Sequence, residues 1–381
     1  MHFAAPSCVG PLPTLSNIHT AEEEEAMGLD LDDVVAFLRV TLFLPTLHVI
    51  ILGVALLGGE WLKVQSSFQI RILVLLSSLV LFSHAISFAG RKHRNGWTRT
   101  RVLGAEEWKK EVVLITGGAG GVGSELSALL CQRGARVVVL DVVSESVFKR
   151  RGRTTYFQCD VSDADQVKSI AARIKDEVGH VSMLVNNAGV LNGKLLTDLE
   201  DSEIQRIVGV NLISHFYTIK AFLPDMVHRS RGHVVTVSSV MGHIGIAQVG
   251  DYVATKHALV GLHESLRYEL DKKHKAPKVR TTLICPGHIK TALFAQVEVP
   301  ALARFLAPLL DPRDVAMAIL RALERQESTD IYLPWYAQWA PALRMLPSFL
   351  RDLAQTVSGA DEAIEGMYKR RAELERGKSE Q

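Results

Sequence analysis

The sequence predicts an α/β protein, a doubly wound parallel sheet with helices on both faces, preceded by N-terminal membrane-anchor helices. Three observations carry that expectation. From residue 111 to about 335, short β-branched runs alternate with helical stretches, as in parallel strands buried on both sides. A cluster of glycines stands where the first of these strands passes into a helix. Two uncharged, mainly apolar runs, 40–59 and 72–90, precede all of this.

Composition sets the outer limits. With 381 residues, 48% of them hydrophobic, the chain has ample material for a core and is neither disordered nor fibrous. A formal net charge of +2 offers no basic face for nucleic acid. Cys8, Cys131, Cys159 and Cys285 are widely spaced, which argues against a disulfide scaffold or a zinc site and for a reducing compartment.

In chain order, residues 1–35, with the acidic run 22–25, read as a flexible solvated tail. Residues 36–91 form the anchor region. The span 72–90 is the better membrane helix, because Pro45, His48 and Gly53 interrupt 40–59. Crossing by both runs and a hairpin in one leaflet are both open. Residues 92–110 read as a basic linker: seven Lys or Arg lie between 91 and 110, against Glu106 and Glu107. Basic flanks stay cytoplasmic, so everything beyond residue 91 is expected on the cytosolic side.

The body spans 111–335. VVLIT at 112–116 is the first strand, followed by a helix near 124–133 and a second strand at 135–141. The runs at 154–160, 181–189, 233–239 and 279–287 continue the alternation. The first turn contains Thr116, Gly117, Gly121, Val122 and Gly123. Glycines there let a backbone approach a pyrophosphate that a helix N-terminus also favours, the Rossmann arrangement. Asp141 ends the second strand about 20 residues on, where a carboxylate accepts hydrogen bonds from ribose hydroxyls and repels a 2′-phosphate. That favours NAD, while Lys149, Arg150, Arg151 and Arg153 keep NADP open. Tyr252 and Lys256 are four apart, on one face of a helix, so an ammonium stands ready to lower a tyrosine pKa toward usable acid/base chemistry. Ser239 ends a strand 13 residues earlier, suited to hold a substrate oxygen.

Together these residues resemble the short-chain dehydrogenase/reductases in their compact form, over about residues 111–300. The likeness takes in the glycine turn, Asp160 and Val161, Asn186 to Gly189 (with Asn187 and Ala188), Asn211, Ser239, Tyr252, Lys256, and Pro286, Gly287 and Thr291. The resemblance implies that Tyr252 transfers the proton and Ser239 polarises the carbonyl. Lys256 would bind the nicotinamide ribose and depress the tyrosine pKa, and Asn211 would hold a relay water. It further implies that Asp160 meets the adenine, that Asn187, Gly189 and Thr291 line the cofactor, and that the enzyme is a homodimer. With its anchor, the chain looks like the branch containing retinol and 17β-hydroxysteroid dehydrogenases of endoplasmic reticulum and lipid droplets.

The remaining stretches are less committed. Residues 297–310 fall where that family has a substrate lid. The aromatic run 332–353 reads either as core or dimer contact or as an interfacial segment. From about 361 the chain reads as a charged helix or tail without chemistry, closing a C-terminal segment of 336–381. The expected activity is a membrane-anchored NAD(H)-dependent interconversion of hydroxyl and carbonyl on a lipophilic substrate. An NADPH-dependent ketone reductase and a non-catalytic nucleotide-binding membrane protein are the alternatives.

Overall fold

The computed structural model describes residues 30–57, 68–98, 100–148, 152–294, 304–305, 307–361, 363–366 and 368–370. The acidic run 22–25, the basic residues 149–151 and most of 297–310 lie outside them.

The anchor region contains α1 (Leu31–Val40), α2 (Pro45–Leu57) and α3 (Phe68–Arg94). Asp30 opens α1 through a capping box with Asp33, so helix begins inside the segment read as tail. Pro45, fixed in φ, starts α2. The apolar run 40–59 is therefore not one straight helix: α1 and α2 meet at a 42° bend. Within α3, Arg71–Arg94 is long and apolar enough to cross a membrane, and only 6% of its apolar window is buried. α2 packs along α3. Their contact includes His48, whose Nε2 donates to Leu42 O (2.8 Å), leaving Nδ1 to accept from Ser77 Oγ (3.1 Å).

After the short α4 (Ala105–Trp108), the body alternates as expected. Its strands are β1 (Val112–Thr116), β2 (Arg136–Asp141), β3 (Thr154–Gln158), β4 (Met183–Asn186), β5 (Gly232–Val237), β6 (Val279–Pro286) and β7 (Thr329–Leu333). They lie in the order β3-β2-β1-β4-β5-β6-β7, every pairing parallel. The helices of the body are α5 (Gly121–Arg133), α6 (Ala164–Glu177), α7 (Asp201–Val208), α8 (Ser214–His228), α9 (Gly250–Lys272) and α10 (Pro312–Arg325).

Period-two side-chain alternation splits the core between the two faces. Val113, Ile115, Val137 and Val139 pack with Leu126 and Leu130 of α5 and Ile319 and Leu323 of α10. Val112, Leu114, Val138 and Leu140 pack with Ile174 of α6, Met226 of α8 and Leu266 of α9. The order of strands reverses between β1 and β4, which opens a crevice at their carboxyl ends, where such sheets hold ligands.

Three segments add to the sequence expectation. β7 gave no strand signal because all five of its residues are only half-buried at the sheet edge. Residues 92–98 are docked rather than a free linker. Asn95 exchanges hydrogen bonds with Ser328 (2.7 and 3.2 Å), Arg280 donates to Asn95 O and to Thr98 Oγ1, and Arg94 pairs with Asp330 at 2.8 Å. The aromatic run divides its roles. Ala337 and Ala340 are core, whereas Trp339, Met345, Phe349 and Leu353 are exposed, the last two on α12 (Ser348–Ser358), which follows the single-turn α11 (Ala340–Leu343).

Candidate active site

The glycine turn is compact for stated reasons. Gly117 adopts φ +65°, and a Cβ on it would come within 2.8 Å of Ala188 Cα. A Cβ on Gly123 would run into the Gly117 carbonyl and the Asn187 amide. Val122 is buried in the core beneath. Gly120 caps α5 without a side chain, so no side-chain oxygen occupies the first N–H groups of that helix. Above the turn, Asp141 Oδ2 accepts from Ala119 N at 2.9 Å, holding the carboxylate at the end of β2 beside the turn.

β4 delivers the second wall. Asn187 N and Ala188 N both donate to Thr116 Oγ1 (3.0 and 3.1 Å), and Asn187 Nδ2 donates to the carbonyls of Thr116 and Gly117 (3.1 and 3.0 Å). The Asn187 side chain thus ties β1 to β4, leaving the backbone of 188–189 as the exposed edge. Gly189 lies alongside two of the expected site residues: a Cβ on it would stand 3.6 Å from Asn211 Oδ1 and 3.8 Å from Lys256 Nζ.

Asn211 sits in a π-helical turn, Gly209–Ile213, that joins α7 to α8, a distortion often found at functional sites. Its Oδ1 accepts from Val190 N (2.8 Å) while Nδ2 donates to Val190 O (2.9 Å) and reaches Thr255 Oγ1 (3.3 Å). Ser239 follows β5, its Oγ accepting from Met241 N (3.1 Å) and donating to Pro286 O (3.4 Å). Tyr252 and Lys256 occupy the first turns of α9 on one face, with the ammonium 5.4 Å from the ring centroid. Lys256 Nζ donates to Val237 O at 3.0 Å.

Electrostatics here differ from the sequence expectation. Burial pushes the Tyr252 phenol above its ordinary value, with the Ser239 hydroxyl pulling it partly back. Burial also lowers the Lys256 ammonium, to about 8. At both groups desolvation outweighs the attraction expected between the two.

The outer positions fall around this centre. Asp160 Oδ1 accepts from Ser162 N and Oγ (2.9 and 2.6 Å), and Val161 beside it is buried. Gly287 N donates to Leu333 O at 2.6 Å, and a Cβ there would meet Tyr336 Oη at 2.5 Å. Thr291 faces the glycine turn, its methyl 3.3 Å from where a Gly121 Cβ would stand. Two residues were missed. Asp251, 8% exposed, accepts from Asn192 Nδ2 at 2.7 Å immediately before Tyr252. Ile364 joins the apolar cluster around Tyr252. The pair Ala363–Ile364, apolar within a charged stretch, was the available signal.

Comparison with known proteins agrees with this geometry. The sequence profile described as short chain dehydrogenase matches residues 111–300. Epidermal retinol dehydrogenase 2 of Mus musculus is 35% identical over 246 residues, covering 62% of this chain and 78% of that protein. Estradiol 17-beta-dehydrogenase 11 of Homo sapiens is 32% identical over 272 residues, covering 69% of this chain and 88% of its own. The solved ligand-free aldohexose dehydrogenase of Thermoplasma acidophilum superposes with a TM-score of 0.52 at 28% identity, covering 58% of this chain and 92% of the other.

Proposed function

This chain belongs to the short-chain dehydrogenase/reductase family, and from that premise we propose that it is a membrane-anchored enzyme interconverting hydroxyl and carbonyl on a lipophilic substrate with NAD(H). Its relatives and fold make it an NAD(P)-dependent oxidoreductase of the alcohol–carbonyl couple acting on a small molecule. The observation that carries the finer reading is the convergence of Ser239, Tyr252 and Lys256 beside Gly189, at the same end of the sheet as the open N-terminus of α5.

The residues fit a dinucleotide: Gly117, Gly121 and Gly123 keep the turn low, and Thr291 and the 188–189 backbone border it. Bound there, the nicotinamide supplies the carbon that accepts or returns hydride. Tyr252 holds the proton of the substrate hydroxyl, and Ser239 donates to the substrate oxygen. Lys256 would stand as counter-ion to a phenolate and would hydrogen-bond the nicotinamide ribose. Asn211 is a positioning residue that clasps Val190 beside them. Asp160 and Val161 would border the adenine, and Pro286 and Gly287 the nicotinamide end. Asp141, beside the turn, favours ribose hydroxyls over a 2′-phosphate and supports NAD over NADP.

The lipophilic substrate class rests on the anchor and on relatives named for retinol and estradiol. Both ends of the anchor touch one region of the body. Asp32 accepts from Trp335 N (2.9 Å) and Arg94 pairs with Asp330, which supports a hairpin returning to the side it left. Phe349, Leu353 and Val357, exposed at four-residue spacing on α12, support a further lipid contact. Cytosol-facing endoplasmic reticulum or lipid droplet is the location we propose. A homodimer through α8 and α9 is the assembly, supported by exposed Phe216 and Tyr268.

The test is turnover of lipophilic alcohols by the solubilised chain with NAD⁺ and NADP⁺, beside Tyr252→Phe. Activity favouring NAD⁺ is expected, with kcat about 10²–10⁴-fold lower in the variant and dinucleotide affinity retained. Preference for NADP⁺ overturns the role of Asp141, and full activity in the variant overturns the mechanism.

A further inference from the structure

Tyr252 is only 4% exposed, and the buried apolar side chains clustered with it are Leu191, Ile207, Val249 and Ile364, with Phe294 edge-on to the ring at 6.4 Å between centroids. Four of these come from the body. Ile364 comes from more than 100 residues beyond Tyr252 and is itself 4% exposed.

Its position is built by specific contacts. α12 stops at Gly359, whose φ of +62° suits glycine and turns the chain back. Asp361 then anchors the returning segment: Oδ1 accepts from Ala247 N at 3.0 Å, and both carboxylate oxygens accept from Gln355 Nε2 at 3.0 Å. Ala247 lies five residues before Tyr252, in the loop that leads into α9. Residues 361 and 363–366 are thus tied to the approach of α9 at one point, and they place Ile364 in the apolar cluster that holds Tyr252.

We infer that this C-terminal segment is a wall of the substrate site and that Ile364 is a specificity-determining residue, contacting the apolar part of the alcohol next to its reacting carbon. The inference rests on the oxidoreductase reading above. A substrate apolar at that point exchanges water for Ile364 and gains by burial. A hydroxylated one loses hydrogen bonds to water against a side chain that returns none. The same contacts make the segment the part that must yield for entry, since Asp361 holds it through exposed hydrogen bonds whereas Leu191 and Ile207 belong to the packed body.

The test compares wild type, Ile364→Ala and the milder Ile364→Val on a long-chain secondary alcohol and a short water-miscible one. In Ile364→Ala the ratio of kcat/KM, long over short, is expected to fall about tenfold or more, through KM of the long alcohol, with Ile364→Val between. Hydrogen exchange gives a readout independent of turnover: Asp361→Ala is expected to speed exchange of the amides in 247–256. An unchanged ratio in an active wild-type background, or unchanged exchange in Asp361→Ala, overturns the wall while leaving the oxidoreductase reading in place. A wild type inactive on both alcohols with both dinucleotides overturns that reading instead, and the exchange result still decides the wall.

Discussion

Beside the chemical role proposed for it, Lys256 carries a cost to the fold. Buried and bonded to Val237 O, it loses its proton at about pH 8 rather than at its ordinary 10.5. Between those values the unfolded chain holds a proton that the native chain lacks, so this group's contribution to stability rises with pH across that window. Below pH 8 both states are protonated and the desolvation penalty is present in full. Lys256→Met, an apolar side chain of similar length, is therefore expected to raise the Tm of the unliganded protein at pH 7 by a few degrees while removing turnover. The gain should shrink as pH approaches 10.5. Thermal unfolding at pH 7 and pH 10 checks this, and a lower Tm at both would mean that the bond to Val237 outweighs desolvation. Tyr252 and Lys256 were legible in the sequence because a spacing of four is a local helical property. Their pKa directions were not, because burial is set by residues distant in sequence, among them Leu191, Ile207 and Ile364.

At the scale of elements, the β1–α5 turn contains both a glycine that the fold needs and one with open space around it. A Cβ on Gly123 has no room, so Gly123→Ala is expected to lower stability by several kcal/mol and abolish dinucleotide binding together. A Cβ on Gly120 meets nothing within 4 Å, and its φ of −143° is open to any residue. Gly120→Ala is expected to change stability by about 1 kcal/mol or less, while weakening dinucleotide binding about tenfold by filling space above the α5 N-terminus. Thermal unfolding with and without NAD⁺ separates the two effects. Undiminished binding by Gly120→Ala would place the pyrophosphate elsewhere. The strands that were legible, β1 to β6, are those carrying buried apolar runs. β7, half-exposed and beginning with Thr329 and Asp330, carries no such run and is defined by its pairing with β6.

For the molecule as a whole, the N-terminal helices and the body form a connected structure. The Arg94–Asp330 pair and the Asn95–Ser328 clasp join the end of α3 to β7, and Asp32 joins the start of α1 to Trp335 just beyond the same strand. In the membrane anchor proposed above, α1 leaves and α3 returns at one place, so residues 1–29 are expected on the same side of the membrane as the body. An epitope placed before residue 30 should be as open to added protease in intact microsomes as the body is. Protection of that epitope alone would mean an odd number of crossings.

What the sequence by itself determined is whatever rests on local periodicity and short spacing. That includes the alternating strands and helices, the glycine turn with Asp141 beyond it, Tyr252 four residues before Lys256, and the charge-free run that became α3. The tertiary structure alone decided the rest. It closed the strand order with β7, committed the Asn187 side chain to the β1–β4 junction, docked residues 92–98 on β6 and β7, and brought Ile364 to Tyr252. Each of these joins residues tens to hundreds of positions apart, and a contact between distant segments leaves no repeating pattern along either one.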